Sequence, residues 1–183
     1  MSTAPKIPPI TVEQYLAFQD PPGYRSELLH GEIILSPDPK PLHHDVVENI
    51  FELLKQHVGT RFKVCTRINV DFSAEFYMPS PDVFVIEREA WRYSRNRNAY
   101  PSGNVILAVE VISPSNTEEN VADKTQLYLR NGAAQVWNVY PSEKYCLLYS
   151  PEGGSVRLEN GPIILPAPLP NISIDLGDFF RLD

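Results

Sequence analysis

The chain has 183 residues, enough for one domain with a real hydrophobic core, and no break in composition marks a second. Hydrophobic residues make up 43% of it, but no apolar run approaches the length of a bilayer crossing, and residues 1–10 hold three prolines with no apolar stretch behind a basic start. Neither a membrane span nor a secretory signal is expected; the expectation is a cytoplasmic protein with a flexible start over 1–10 and a single domain over 11–183. The net charge of -7 works against a broad nucleic-acid surface, whose affinity comes from Lys and Arg releasing counterions, so any such role needs local basic patches.

Thr11 and Gln14 form a capping-box pattern ahead of Val12, Tyr15, Leu16 and Phe18, which predicts a short amphipathic helix from Val12, ended by Pro21, Pro22 and Gly23. Ser26 to Leu35 reads as a hairpin turning at His30 and Gly31, with Glu27 on its first strand. Pro37, Pro39 and Pro41 punctuate the exit. Val46, Val47, Ile50, Leu53, Leu54 and Val58 then recur at helical spacing up to Gly59. Strand-like runs follow at 62–72, 82–86 and 105–112. The last is apolar on both alternating faces except at Glu110, the pattern of a central strand covered on both sides. Ser115 and Glu118 suggest the cap of a helix running to about Arg130 and closed by Gly132, and 135–140 and 144–149 are two further strands joined by a Pro-Ser turn. From Gly161 the proline- and isoleucine-rich tail, with Phe179 and Phe180 as anchors, is expected to pack along the body.

Chemistry concentrates at three charges set in apolar surroundings. A carboxylate on a central strand is expensive to bury unless it is paired, hydrogen-bonded or bound to metal, so Glu110 needs a partner. Asp82 opens a short apolar strand after Pro79-Ser-Pro81, and two carboxylates at neighbouring strand ends make a hard, oxygen-rich site suited to magnesium. Lys124 shares the inward face of its helix with Val121, Leu127 and Tyr128; it can reach the carboxylates, offset their charge and orient a water. A structural ion cluster is the alternative for the same three residues. Arg88, Arg92, Arg95 and Arg97, interleaved with Trp91, Tyr93 and Tyr100, could clamp phosphates and stack bases, or simply keep an exposed helix solvated. His43, His44 and Glu48 invite a zinc reading without a fixed further ligand. Ser113 and Ser115 suit turn and cap roles better than nucleophilic ones. Cys65 and Cys146 sit in apolar strand-like stretches, as buried thiols do in a reducing compartment.

Pro81-Asp82, then Glu110-Val-Ile-Ser-Pro-Ser115, then Lys124 with Tyr128, Gly132 and Trp137, resembles the Uma-two family of restriction endonucleases within the PD-(D/E)XK superfamily, over nearly the whole chain. The resemblance implies an α/β fold with a restriction-endonuclease-like core: a mixed central sheet flanked by helices, preceded by a helix and hairpin. It implies Asp82 and Glu110 as ligands of Mg2+, with Mn2+ as a substitute, and moves the signature lysine from the E-x-K position, here Ile112, to Lys124. It also implies that Glu27 completes the catalytic set and that His43 has an auxiliary place. The expected activity is metal-dependent hydrolysis of DNA phosphodiester bonds, with a homodimer as one arrangement for cutting two strands. A catalytically silent nuclease-fold protein that binds DNA or assists another system is the alternative.

Overall fold

The computed structural model describes residues 8–182. Residues 1–7 of the expected flexible start lie outside the described residues; at its end, Ile10 donates its N–H to the Gly31 carbonyl at 2.8 Å. The capping box forms, with the Thr11 hydroxyl accepting from the Gln14 N–H at 3.3 Å and the Gln14 side chain from the Thr11 N–H at 2.9 Å. The helix it opens, α1 (Val12–Tyr15), stops well short of Pro21. Leu16 and Phe18 are left exposed, so no buried apolar face sustains a second turn.

The hairpin β1 (Tyr24–Leu29) and β2 (Glu32–Pro37) turns at His30 and Gly31, both with positive φ (51° and 75°), the backbone that matches strand twist in a two-residue turn. A side chain at Gly31 would also collide with Pro9. Helix α2 (Pro41–His57) begins before the apolar repeat at Val46, because Pro41 sits in the first turn, where its missing N–H has no partner to lose. Strand β3 (Phe62–Thr66) is shorter than the run to Phe72 predicts. Arg67 enters the left-handed region (φ 48°) and breaks the pairing; its N–H and that of Val70 bond instead to the carbonyls of Pro81 (3.0 Å) and Pro79 (2.8 Å). The segment after β3 is thus laced to the loop that delivers Asp82.

The remaining elements are β4 (Val83–Glu87), α3 (Arg88–Asn96), β5 (Val105–Val111), α4 (Glu118–Arg130), β6 (Gln135–Tyr140), β7 (Tyr145–Tyr149), β8 (Ser155–Leu158), β9 (Pro162–Ile164), β10 (Ser173–Asp175) and a 3-10 helix (Leu176–Phe180). Thr117, not Ser115, caps α4: its hydroxyl accepts from the Asn120 N–H at 3.2 Å, while Ser115 pairs with Ser113 at 2.8 Å. The 144–149 strand starts at Tyr145 because Lys144 takes a positive φ in the turn.

Six strands form the central sheet in the order β3-β4-β5-β6-β7-β8, antiparallel except for β5 and β6, whose parallel pairing requires the α4 crossover. Every residue of β5 is buried, which accounts for its unbroken apolar sequence. Against one face pack α2 and the segment from Gly161, with Val46, Ile50, Leu54, Trp137 and Phe179 in a common core. The Trp137 and Phe179 rings stack at 5.8 Å. Against the other pack Tyr128 of α4 and Ala90 and Trp91 of α3, over Phe84, Ala108 and Val136. This mixed sheet between helices is the α/β architecture expected. Among the described residues, no helix is long and apolar enough to cross a membrane.

Candidate active site

Strand register brings the two carboxylates together. Val83 pairs with Val109 in antiparallel β4 and β5, so continuing the ladder by one residue sets Asp82 beside Glu110. The Asp82 carboxylate accepts the Val111 N–H at 2.9 Å, which fixes it to the end of β5. Glu110 shares its stretch of sheet with Asn138, its register partner on β6, and α4 crosses above. From α4, Lys124 donates to Glu110 Oε2 at 2.8 Å and Tyr128, one turn on, donates to Oε1 at 2.7 Å. Both oxygens of a 6% exposed carboxylate are therefore satisfied, as burial demands.

Glu27 is the third carboxylate. Its Oε2 lies 2.9 Å from Lys124 Nζ and accepts the Ser80 N–H at 3.2 Å, so it ties the hairpin both to α4 and to the loop before Asp82. At 13% side-chain exposure it is no surface hairpin charge. The inward face of α4 is Lys124, Thr125 and Tyr128; Leu127 is only half-buried.

Asp82 has its own cationic side. His43, in the first turn of α2, places Nε2 3.4 Å from Asp82 Oδ2, and Arg67 places Nε 3.6 Å from Oδ1. Arg67 Nη2 also donates to His43 Nδ1 at 3.2 Å. An arginine can only donate, so His43 Nδ1 must be the unprotonated nitrogen and Nε2–H the one facing Asp82. Sequence reading missed Arg67, whose neighbours are Thr and Ile in a stretch expected to be strand, and gave Tyr128 an inward position and a place in the family pattern but no chemical role.

Electrostatics follow from three carboxylates around one ammonium. Burial pushes Glu110 up to about 8; Asp82 and Glu27 add to the rise while Lys124 opposes it. Burial would lower Lys124, but Glu110, Glu27 and Asp82 outweigh it and hold the amine protonated. Burial also raises Asp82, yet the His43 hydrogen bond, Lys124 and the Val111 N–H leave it below its ordinary value. In the metal-free cluster the surroundings thus favour the ionised form of Asp82, while burial works against the ionised form of Glu110.

These groups line a cleft of about 600 Å³ walled by the hairpin and its exit, the 112–116 loop and the turn at Pro141 and Ser142. Among the described residues, no group of three or more His, Cys, Asp or Glu side chains is arranged to hold a metal ion. His44 pairs with exposed Glu48 at 3.3 Å while His43 turns to Asp82, so the zinc reading of His43, His44 and Glu48 has no common centre. Two carboxylates nonetheless fit magnesium, which ordinarily takes one or two and keeps several waters.

The arginines of α3 are elsewhere. They follow the far end of β4, about 16 Å from Asp82 at the usual rise per strand residue, and none lines the cleft. Arg88 donates to the Thr60 and Phe62 carbonyls at 2.6 and 2.7 Å, and Arg97 lies 3.5 Å over the Tyr93 ring. Arg92 and Arg95 are exposed. Cys65 and Cys146 are buried free thiols, and burial raises both.

A family model described as "Putative restriction endonuclease" (Uma2) matches residues 12–177. The chain belongs to the Uma2 family. The match spans α1 to the first residues of the 3-10 helix, so the whole cluster from Glu27 to Lys124 lies inside it. A solved structure described as a putative nuclease from Anabaena variabilis superposes with a TM-score of 0.79 at 18% identity, covering 94% of this chain and 98% of that one. At that identity the likeness establishes a shared fold. No curated protein matches this Uma2 chain.

Proposed function

We propose that this Uma2 protein is a metal-dependent endonuclease that hydrolyses DNA phosphodiester bonds in the cleft above β5. The observation that carries the reading is the convergence of Asp82, Glu110 and Lys124, drawn from a loop, a strand and a helix, on one polar cluster in an otherwise apolar interior. Asp82 and Glu110 are the residues that would hold a magnesium ion. When bound, such an ion polarises a phosphate and acidifies water. Lys124 donates toward the reacting centre, orients the attacking water and stabilises charge gathering on the phosphate oxygens. Glu27 keeps the Lys124 amine in place, Tyr128 sets the rotation of the Glu110 carboxyl, and His43 orients Asp82. Water adds to phosphorus, the ester P–O bond breaks, and the departing oxygen takes up a proton.

Calorimetric titration with manganese, followed by a cleavage assay on DNA, tests this. The parent should bind the ion and cut. Asp82→Ala and Glu110→Ala should lose ion binding while remaining folded; if both bind manganese as tightly as the parent, the ligand assignment is wrong. A second reading, a silent nuclease-fold DNA-binding protein, is favoured by the engagement of Lys124 with two carboxylates at once. Manganese binding without turnover would select it.

A further inference from the structure

The reactive groups sit deep. Side-chain exposure is 8–9% for Glu110 and Lys124 and 16–17% for Arg67, His43 and Asp82, at the floor of a cleft whose volume falls within the roughly 300–1,000 Å³ of small-ligand sites. An intact duplex carries its phosphates on the outside of a broad, stiff rod that can bring one only to the mouth of such a cleft, whereas a flexible single strand can carry a phosphate to its floor.

The charges lining the cleft agree with a narrow occupant. Arg25, Lys40, Arg67 and Lys124 are matched there by Glu27, Asp38, Asp82 and Glu110, so the cleft is no basic trough of the kind a duplex backbone needs. The α3 arginines do not extend it. Arg67 stands out instead: a non-glycine residue held at φ 48°, a costly backbone state that persists where the surroundings impose it. Its described contacts use Nη2 and Nε, leaving Nη1 and part of the donor fork for a phosphate oxygen. Outside the cleft lining, Tyr140 directly precedes Pro141 and Ser142 of the wall. It stacks on Tyr145 at 4.3 Å, and Arg157 lies 3.7 Å over Tyr145, a run of flat groups of the kind on which unpaired bases stack.

We infer, resting on the nuclease reading above, that the cleft takes one unpaired DNA strand rather than an intact duplex, with Arg67 gripping a phosphate on its floor. Specificity is then for single-stranded, overhanging or frayed DNA.

The test is fluorescence anisotropy of the full-length protein, in calcium buffer, with a labelled 12-nucleotide single strand, the same sequence as a blunt duplex, and a duplex with an overhang. The single strand and the overhang should bind at least tenfold more tightly than the blunt duplex. The log–log salt slope should be no steeper than about -2, as for three phosphate contacts on a single strand. Arg67→Gln should weaken single-strand binding at least tenfold, and Lys40→Ala, at an exposed site that cannot threaten folding, should make the slope shallower. Equal or tighter binding of the blunt duplex overturns the inference, as does unchanged single-strand binding in both variants. A parent that binds manganese and cuts only duplex DNA removes this inference and keeps the nuclease. A parent that binds neither manganese nor any of the three DNAs removes both.

Discussion

Two charged regions lie at opposite ends of the same sheet. At one end Glu110 and Lys124 are buried, Glu27 and Asp82 half-buried, and each is held by at least two partners; at the other, most of the α3 arginines reach into solvent or lie on neighbouring side chains. The arginine segment is the more conspicuous in the sequence, being dense, basic and aromatic. The cluster consists of single charges scattered over almost a hundred residues. Density of charge reflects solvation, whereas an isolated charge in an apolar run must be matched by something distant in the chain, and that need is what gathers a site.

The largest expected effect breaks the cluster at its one ammonium. Lys124→Ala removes the ammonium shared by Glu27 and Glu110 in the metal-free protein, at a cost of roughly 3–5 kcal/mol. For a domain of this size that is a fall in melting temperature of roughly 6–20 °C, read by calorimetry. Magnesium should restore most of it, since a bound cation replaces the lost charge. A melting loss that magnesium leaves untouched would mark a purely structural ion cluster.

Proton linkage gives the next effect. Glu110 is raised from its unfolded value to about 8, so between these limits the native state holds a proton that the unfolded chain has released. Metal-free stability from this group is therefore greatest at the acid side and declines as pH rises toward 8. Cation binding must expel the same proton, so manganese affinity should climb about tenfold per pH unit between pH 6 and 8 and then level off. Affinity that is flat over that interval would show Glu110 already ionised.

A comparison within α3 sharpens the contrast at the sheet's other end. Arg88→Ala removes charge-assisted bonds to the Thr60 and Phe62 carbonyls and should cost about 1.5–3 kcal/mol. Arg92→Ala should stay within about 0.5 kcal/mol, as at an ordinary exposed site. Equal denaturant midpoints for the two would deny Arg88 its clamp. If Arg92 proves the costlier, that exposed face has an unrecognised partner.

Legibility in the sequence followed the range of the interaction. The capping box at Thr11, the hairpin turn at His30 and Gly31 and the buried strand around Glu110 are written in a few adjacent residues, and each forms where the pattern places it. The spacing of Asp82, Glu110 and Lys124 raised the possibility of a cluster, but their contacts depend on strand register and on the α4 crossover. Arg67 was not legible: an arginine after a strand carries no local sign of a left-handed backbone, and its partners His43 and Asp82 stand 24 and 15 residues away on either side. The shift of the α4 cap from Ser115 to Thr117 is the opposite case, in which two hydroxyls satisfied the same local rule and the pairing of Ser115 with Ser113 selected between them.

The segment from Gly161 to Phe180 has a consequence for the order of events on the ribosome. Asn49 of α2 donates to the carbonyls of Phe179 and Arg181 at 3.2 and 2.8 Å, and Phe179 closes over Trp137, so α2 and β6 share a core one wall of which is made well over a hundred residues after α2. Glu27, Asp82, Glu110 and Lys124 have all emerged long before that wall exists. A nascent chain that ends before residue 161 carries the full set of charges without the wall that packs against α2 on the other face of the sheet. The expected consequence is that α2, which carries His43 to Asp82, is secured against the sheet only after synthesis has passed residue 180.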